Sequence, residues 1–544
     1  MTSRKPSWMR WALAGTDMAD SSTKNLIRQG SLLVASQMIV RVINLLYRIP
    51  VTNLWGDKGL GIYSDAYQVY GFFLVFASIS IPTVISKMVS ERIATGRYAD
   101  VKKVLQLGTL LVGGIGFVGM MVMTLGGHSL AVTFFSNPEA TKPMKFLGPT
   151  VFICSLMSVL RGYFQGLNDM KPTAVSEVIE GLLHAVFAVV LAYILNPYGI
   201  EWSVTGGIIG TGIGAVGSIV FLAFAYASRG VSKLADLSKS KSTESTKKIY
   251  RQMLSLMVPI VISSTIFSVK GIIDAAMFGK LSLMKGMDPG QMIAMRGIYS
   301  GKFIVLLNLP VALGEALGAA AVPSVSAAQA LGDGKALRKH FNSMVKTVLL
   351  ITVPCAVGLA LLGKPAMRLL FHAAFQGGEL FWVGSLAVVF YSISYVAGGV
   401  LNGLNKSHIS MIHAAIGVAV TSVWNALGIL VLDMGVYTLA VNAVLFSCLI
   451  MVLNMRSTMK YCQVKIRFVK LSFGPVVCSL IMGVVCVLSY LLIYAITGSN
   501  TITTVLSILL GILVYFALAV NLKVINHTDM ENLPGGKYLA WLKF

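Results

Sequence analysis

Five basic side chains lie within or at the ends of apolar stretches, where they could hold an anionic ligand. Arg41 and Arg48 are seven residues apart, so on a helix they share one face, about 10 Å apart along the axis. Lys87, Lys270 and Lys302 lie in other apolar stretches. Charged groups in hydrocarbon cost about 2.5–3.5 kcal/mol each on insertion scales and usually face a bundle interior or an aqueous cavity. These five residues therefore form a candidate cationic cavity for an anionic headgroup.

A structural role competes with this interpretation for each cation. Arg48 could snorkel to the outer interface, and Arg41 could pair with a carboxylate. Lys87 ends its apolar stretch, which also suits a cytoplasmic anchor. Lys302 has no acidic residue close to it in the sequence, and this favours a role in the cavity.

One apolar stretch carries two acids and a histidine on a single helical face. Glu177, Glu180 and His184 follow the spacing i, i+3, i+7. They could bind a coupling cation or a proton. They could equally pair with Arg161 or with an arginine of the first stretch, so both interpretations stay open.

Three further acids lie inside apolar stretches. Asp274 follows Lys270 by four residues, a spacing that gives either a neutral intrahelical pair or a polar group in a cavity. Asp65 and Glu315 are single acids, and we expect a structural role for them ahead of ion coupling.

The elements that carry these residues are membrane helices. Of the 544 residues only 12% are charged and 56% are hydrophobic, whereas a soluble chain has about a quarter charged residues. Apolar stretches of about 18–25 residues recur from residue 30, each long enough to cross about 30 Å of hydrocarbon. We predict an all-α polytopic membrane protein with fourteen spans, at 30–51, 63–86, 104–126, 146–167, 173–195, 203–228, 252–278, 298–324, 343–363, 380–402, 409–432, 436–455, 471–496 and 501–522.

The net charge of +23 follows from membrane topology. With a cytoplasmic N-terminus, the inner segments contain 32 of the 44 Lys and Arg residues, which fits the positive-inside rule. The bias predicts a multi-pass membrane protein with an even number of spans and both termini on the cytoplasmic side. Because topology accounts for the positive charge, the charge gives no reason to expect nucleic acid as a partner. We expect membrane lipids as partners instead.

Short repeats divide the chain into two halves. Ile62-Tyr63-Ser64 recurs as Ile298-Tyr299-Ser300, and Gly166-Leu167-Asn168 recurs as Gly403-Leu404-Asn405, at nearly equal offsets. An even number of spans in each half gives two parallel six-helix lobes, as in transporters that rock between two states. The predicted domains are an N-terminal segment (1–29), an N-lobe (30–228), a basic linker (229–251), a C-lobe (252–455), two C-terminal helices with the preceding basic loop (456–522) and a tail (523–544).

Enzymatic motifs have no credible setting in this sequence. Gly212-Ile-Gly214-Ala-Val-Gly217 matches GxGxxG, but it lies inside an apolar span without a preceding strand. Gly206, Gly210 and Gly214 are four residues apart, a spacing typical of close helix packing. The six cysteines form no CxxC pair, so neither a disulfide framework nor a zinc site is expected. We expect a transporter without a metal or a cofactor.

Three segments resemble one family. Arg161-Gly-Tyr-Phe-Gln-Gly166 and Met170-Lys-Pro-Thr-Ala-Val-Ser-Glu-Val-Ile-Glu180 resemble the RGxFQGxxxMxPTAxSQVxEQ stretch of the Gram-positive polysaccharide-lipid exporters, the MurJ-type lipid II flippases and the stage V sporulation protein B group. Arg41 to Ile49 resembles their R-x-L-G-x-x-x-R-I, with Asn44 in place of glycine, and Ile81 to Lys87 resembles their [FL]-P-x-A-[IV]-S-K. Glu177 stands in place of a family glutamine.

The resemblance implies the multidrug/oligosaccharidyl-lipid/polysaccharide exporter fold, with two lobes around a cavity and two extra helices forming a lipid-facing groove. It implies export of an undecaprenyl-pyrophosphate-linked sugar, with lipid II first, by alternating access. Family cavity cations correspond to Arg41, Arg48, Lys87 and Lys302. The energy source could be Na⁺, H⁺ or the membrane potential, and cell-wall synthesis proteins are candidate partners. The alternatives are another polyprenyl-linked polysaccharide unit or a cation-coupled multidrug antiporter.

Overall fold

The computed structural model describes residues 7–75, 80–230, 244–330, 333–371, 376–463 and 468–525. Within these ranges the chain is helical and contains no strand, so the all-α prediction is confirmed. The helices are α1 (Ser7–Leu74), α2 (Ser80–Ala94), α3 (Tyr98–Phe135), α4 (Thr141–Gly166), α5 (Lys171–Leu195), α6 (Ile200–Ala225), α7 (Thr246–Met284), α8 (Pro289–Arg296), α9 (Ile304–Ala330), α10 (Gly334–Leu370), α11 (Phe381–Gly384), α12 (Leu386–Gly403), α13 (Ser407–Leu430), α14 (Tyr437–Cys462), α15 (Phe468–Thr497) and α16 (Asn500–Asn521).

Eleven helical stretches in the described ranges are long and apolar enough to cross a membrane. They coincide with eleven of the predicted spans. Three predicted spans remain. The first, 30–51, lies on α1, the second, 63–86, begins on α1 and ends on α2, and the third, 252–278, lies on α7. All three contain ionisable residues. The total of fourteen spans stays a prediction.

Helix α1 continues through the segment predicted as the loop between spans one and two. Its direction changes at Gly56, where φ is 61° and ψ is −166°. Glycine tolerates this conformation because it has no Cβ to clash with the backbone. Residues 52–62 lie between the predicted spans 30–51 and 63–86, and the structure shows a break between two helical segments there.

The first compact unit comprises Met1–Val51, Ala66–Val132 and Pro138–Ser268. Its core contains Ile85, Tyr163, Phe164, Leu222 and Met253, all of them buried. Because lipid tails are as apolar as these side chains, close van der Waals packing, not removal of apolar surface from water, stabilises such a core within a bilayer.

Helices α5 and α6 of this unit pack closely along a stripe of glycines. A Cβ on Gly206 would lie 2.5 Å from the Leu191 carbonyl oxygen, and one on Gly210 would lie 2.4 Å from the Ala188 nitrogen. On Gly214 it would lie 2.6 Å from the Glu180 carbonyl oxygen. The interpretation of the glycine motif as a packing surface is therefore confirmed.

The second unit comprises Thr52–Asp65, Thr133–Asn137 and Val269–Phe544. Its core includes Phe303, Phe341, Phe381, Val396 and Tyr515. The division differs from the predicted lobes, since the boundary falls at 268/269 and two short earlier segments belong to this unit. The reason is that those segments carry polar residues whose charged partners lie in the second unit, as the next subsection describes.

The repeat recognised in the sequence has a structural counterpart. Helices α4 and α12 each end at a glycine that is followed by Leu-Asn. The two asparagines, Asn168 and Asn405, have φ values of 56° and 57°. In each case the asparagine N–H donates to the carbonyl three residues earlier, and the next N–H donates to the carbonyl five residues earlier. This is the same Schellman ending in both halves, and it stops each helix at an equivalent point.

The six cysteines are all free thiols. Cys154, Cys462, Cys478 and Cys486 are buried, and Cys355 and Cys448 are half-buried. Each of the six lies within a helix.

Candidate functional site

The two arginines of α1 differ in their surroundings. Arg41 is exposed and Arg48 is half-buried, on the same face of the helix two turns apart. Ser36, one and a half turns before Arg41, is buried. Because residue 41 is at the centre of the predicted first span, an exposed guanidinium there faces either lipid or water-filled space, and the cost of the former favours water.

Helix α5 contacts α1 through its polar face. Glu177 accepts a hydrogen bond of 2.9 Å from the Ser36 hydroxyl. Two turns further, the His184 ring lies 4.7 Å from the Tyr47 ring, and the charge of Arg48 is close enough to act on it. The spacing i, i+3, i+7 in the sequence thus places these acidic and imidazole groups against the helix that carries the two arginines.

Glu180 forms an ion pair with Arg161 of α4. The Arg161 Nη2 lies 2.7 Å from Glu180 Oε2 and donates to the Ser218 hydroxyl at 3.2 Å. The Nε of the same guanidinium donates to the Ser176 hydroxyl at 3.1 Å. Glu180 thus contacts the arginine that the charge-pairing interpretation named, and its part in ion coupling stays a prediction. Arg161 links α4, α5 and α6 through this fork of donors.

Lys302, predicted as a cavity cation, lies in the second unit and is fully buried. It forms an ion pair with Asp57 of the segment that follows the α1 break. The sequence offered no partner because the two residues are 245 positions apart.

A second buried ion pair lies close in the chain to the first. Arg296 Nη2 is 2.8 Å from Asp65 Oδ2, and the Asn137 amide donates to the same oxygen at 2.7 Å. Arg296 is 1% exposed and also faces the Phe135 ring. The guanidinium is therefore packed inside the second unit. The structural role expected for Asp65 agrees with this pairing.

Lys270 and Asp274 pair within α7, as their i, i+4 spacing allows. Two residues absent from the predicted site complete the cluster. Asn442 accepts from the Lys270 ammonium at 2.9 Å, and Asn425 donates to Asp274 Oδ1 at 2.8 Å. The signal for them in the sequence was the presence of asparagines inside two apolar stretches, 409–432 and 436–455.

Lys87 and Glu315 complete the predicted set. Lys87 is exposed in the middle of α2, and Glu315 is half-buried on α9. The predicted cations thus divide into Arg41, Arg48 and Lys87 in the first unit and the buried, acid-paired Lys270 and Lys302 in the second. Their role in binding stays a prediction. No group of three or more metal-ligating His, Cys, Asp or Glu side chains occurs in the described ranges.

The second unit contains an apolar groove between α9, α10, α15 and α16. Its volume is about 390 Å³, and its walls include Leu309, Cys355, Met482, Ile512 and Phe516. Tyr515 also lines the groove, and its hydroxyl is already engaged because it donates a hydrogen bond to the Leu350 carbonyl at 2.7 Å. The groove therefore offers hydrocarbon contact with little competition from polar groups.

One acidic residue near the end of the predicted basic linker 229–251 is buried. Glu244 is 8% exposed and forms ion pairs with Arg92 and with Arg97, the latter at 2.6 Å. Its carbonyl accepts from Lys103 at 3.0 Å, and Lys248 is 3.3 Å from its carboxylate. Burial alone would raise the pKa of the Glu244 carboxyl, but these cations reverse the effect and hold the pKa below its ordinary value.

A family model for the polysaccharide biosynthesis proteins matches residues 26–329, more than half of the chain, and the chain belongs to this family. It is 25% identical over 423 residues to the lipid II flippase MurJ of Bacillus subtilis (strain 168), covering 74% of this chain and 77% of the relative. It is 24% identical over 401 residues to stage V sporulation protein B of the same organism, covering 73% and 76%.

Solved structures share the fold. The lipid II flippase MurJ in its inward closed conformation superposes with a TM-score of 0.63 at 17% identity, covering 90% of this chain and 98% of that one. An inward-facing multidrug resistance MATE family transporter of the MOP superfamily gives 0.67 at 16%, covering 80% and 98%. The chain is thus a multi-pass, MurJ-like member of the multidrug/oligosaccharidyl-lipid/polysaccharide exporter superfamily, as the resemblance indicated.

Proposed function

We propose that this protein is a membrane transporter, not an enzyme, that moves a polyprenyl-pyrophosphate-linked sugar from the inner to the outer leaflet by alternating access. Lipid II is the leading substrate. The related lipid II flippase MurJ, whose match covers 74% of the chain, supports a flippase of this class.

The observation that carries the proposal is the exposed Arg41 at the centre of a predicted span, with Arg48 two turns away on the same face. A diphosphate cannot enter hydrocarbon without losing its hydrogen bonds to water. Two guanidinium groups on one face supply fixed counter-charges, and guanidinium binds phosphate oxygens in a bidentate manner. The hydrogen bond between Glu177 and Ser36 joins α5 to α1, and the ion pair between Glu180 and Arg161 joins α5 to α4.

The apolar groove of the second unit supports the lipid part of the proposal. Its aliphatic and aromatic walls suit an isoprenoid chain, which has no polar group to satisfy. The tail could stay in contact with hydrocarbon while the headgroup moves. Binding must favour one conformation over the other for transport to occur, and an inside-negative membrane potential would help to return an empty cationic site inward.

Complementation tests the substrate. The chain is expressed in a Gram-positive strain depleted of its own lipid II flippases, and membrane insertion is checked by immunoblot. We expect growth to be restored. Insertion without growth would overturn lipid II as substrate and direct the same assay to strains that lack an exporter for another polyprenyl-linked polysaccharide.

The variant Arg41→Ala tests the site. It should abolish rescue at unchanged protein level, because it removes one of two counter-charges for the diphosphate. Lys102→Ala on α3 is the matched control, since it also removes one exposed positive charge but lies away from α1 and α5. Rescue by Arg41→Ala equal to that by Lys102→Ala would remove Arg41 from the mechanism.

A further inference from the structure

The Lys270 ammonium is surrounded by groups that attract cations. Asp274 contributes a carboxylate oxygen, Asn442 contributes an amide oxygen at 2.9 Å, and the Phe446 ring centroid lies 4.5 Å from Nζ. Carboxylate and amide oxygens are the ligands of hard metal cations, and an aromatic face attracts a desolvated cation. Lys270 and Asp274 are each 7% exposed, so bulk water does not replace these contacts.

The oxygen ligands are held in place by a second set of hydrogen bonds. The Asn442 amide nitrogen donates to Asn425 Oδ1 at 2.7 Å and to Asp274 Oδ1 at 3.3 Å. Asn425 donates to the same Asp274 oxygen at 2.8 Å, and both asparagines are fully buried. The Asn442 oxygen is therefore turned toward Lys270 by contacts that do not involve Lys270. An ordinary intrahelical pair would need none of this, since it forms within α7 alone.

The charge of the cluster fixes the number of occupants. One buried carboxylate faces one ammonium, which leaves the group close to neutral. A second cation would add an uncompensated buried charge, whereas an empty cage would leave the carboxylate unpaired, and both are costly.

We propose that helices α7, α13 and α14 build a monovalent-cation site whose resident cation is the ammonium of Lys270. A covalently attached ammonium takes the place that Na⁺ would occupy among Asp274 and Asn442. The native chain accordingly does not take up Na⁺ here. This inference concerns ion binding alone and does not depend on which lipid is transported.

Two variants distinguish the contribution of the surrounding groups, Asp274, Asn442 and Phe446, from that of the Lys270 ammonium. Lys270→Ala removes the charge and leaves space among the oxygens, whereas Lys270→Met removes the charge and fills that space. Thermal unfolding of the purified full chain in detergent is measured against NaCl, with choline chloride keeping the ionic strength constant. We expect Na⁺-specific, saturable stabilisation of Lys270→Ala only. At Na⁺ a hundredfold above its Kd, the folding equilibrium should shift by about 100-fold.

Two further proteins complete the test. Asp274→Asn added to Lys270→Ala should abolish the Na⁺ effect, because the carboxylate is the charged ligand. Lys270→Ser, which also leaves space and adds a hydroxyl oxygen, replaces Lys270→Ala if that variant does not fold. Na⁺-specific stabilisation of the native chain, an equal effect in Lys270→Met, or no effect in the folded Ala or Ser variant would overturn the proposal.

Discussion

Replacing Asp65 with alanine should destabilise the second unit strongly, because it leaves a buried arginine without its counter-ion. The Arg296 and Asp65 side chains are separated by 2.8 Å and are 2% and 0% exposed. At an effective dielectric constant of about 20 their attraction is about 6 kcal/mol. After truncation the guanidinium keeps a 3.4 Å contact to the Ala275 carbonyl and the face of Phe135.

The expected loss of stability follows from comparing the hydration that each ion loses on burial with the attraction between the two ions. Each ion gave up several kcal/mol of hydration on burial, so the intact pair adds little net stability. Removal of one partner forfeits the attraction while the other ion stays dehydrated, and this costs about 3–5 kcal/mol. The unfolding equilibrium of Asp65→Ala should therefore shift by about two to four orders of magnitude.

Equilibrium unfolding in mixed detergent micelles, followed by circular dichroism, measures the effect. Glu201→Ala is the control, since it breaks the Lys142–Glu201 pair, whose side chains are 43% and 32% exposed, and should cost at most about 1 kcal/mol. The double variant Asp65→Leu/Arg296→Met removes both charges and should lose less than Asp65→Ala. A cost for Asp65→Ala no greater than that for Glu201→Ala would refute the reasoning.

Two further predictions concern the first unit. Gly210→Ala should destabilise the protein by about 1–3 kcal/mol in the same unfolding assay, because its Cβ would meet the Ala188 backbone at 2.4 Å, whereas Gly114→Ala on α3 enters open space and should be neutral or slightly stabilising. The lowered pKa of Glu244 means that its contribution to stability is present above the ordinary carboxyl pKa of about 4.5 and is lost as the pH falls through the folded value. The stability difference between the native chain and Glu244→Gln should therefore shrink on acidification below about pH 4.5, and a difference that does not change with pH would show that the charge of Glu244 is not what stabilises the cluster.

Hydrophobic patterning predicted the helices well because each apolar stretch has one stable state in a membrane. The polar face of α5 could also be predicted, because spacing along one helix fixes which side chains are neighbours. Glu180 and Arg161 lie on consecutive helices, and their pairing was among the stated alternatives.

Long-range ion pairs could not be predicted in this way. Because a charge in hydrocarbon is costly, Lys302 was expected to have a polar or charged partner. The sequence could not identify that partner as Asp57, which is far away in the chain. The segment between the first two predicted spans is also helical, and its Asp57 pairs with Lys302 within the second unit.

The positions of the cysteines make the protein convenient for chemical labelling. Four of the six thiols are buried and none is fully exposed, so membrane-impermeant maleimides should react weakly with the native chain. Single cysteines could then be introduced without first removing the native ones. Exposed Lys102 and Lys285 are suitable sites, since the charge bias predicts that they face opposite sides of the membrane. Labelling of Lys285→Cys but not Lys102→Cys on intact cells would establish the orientation directly.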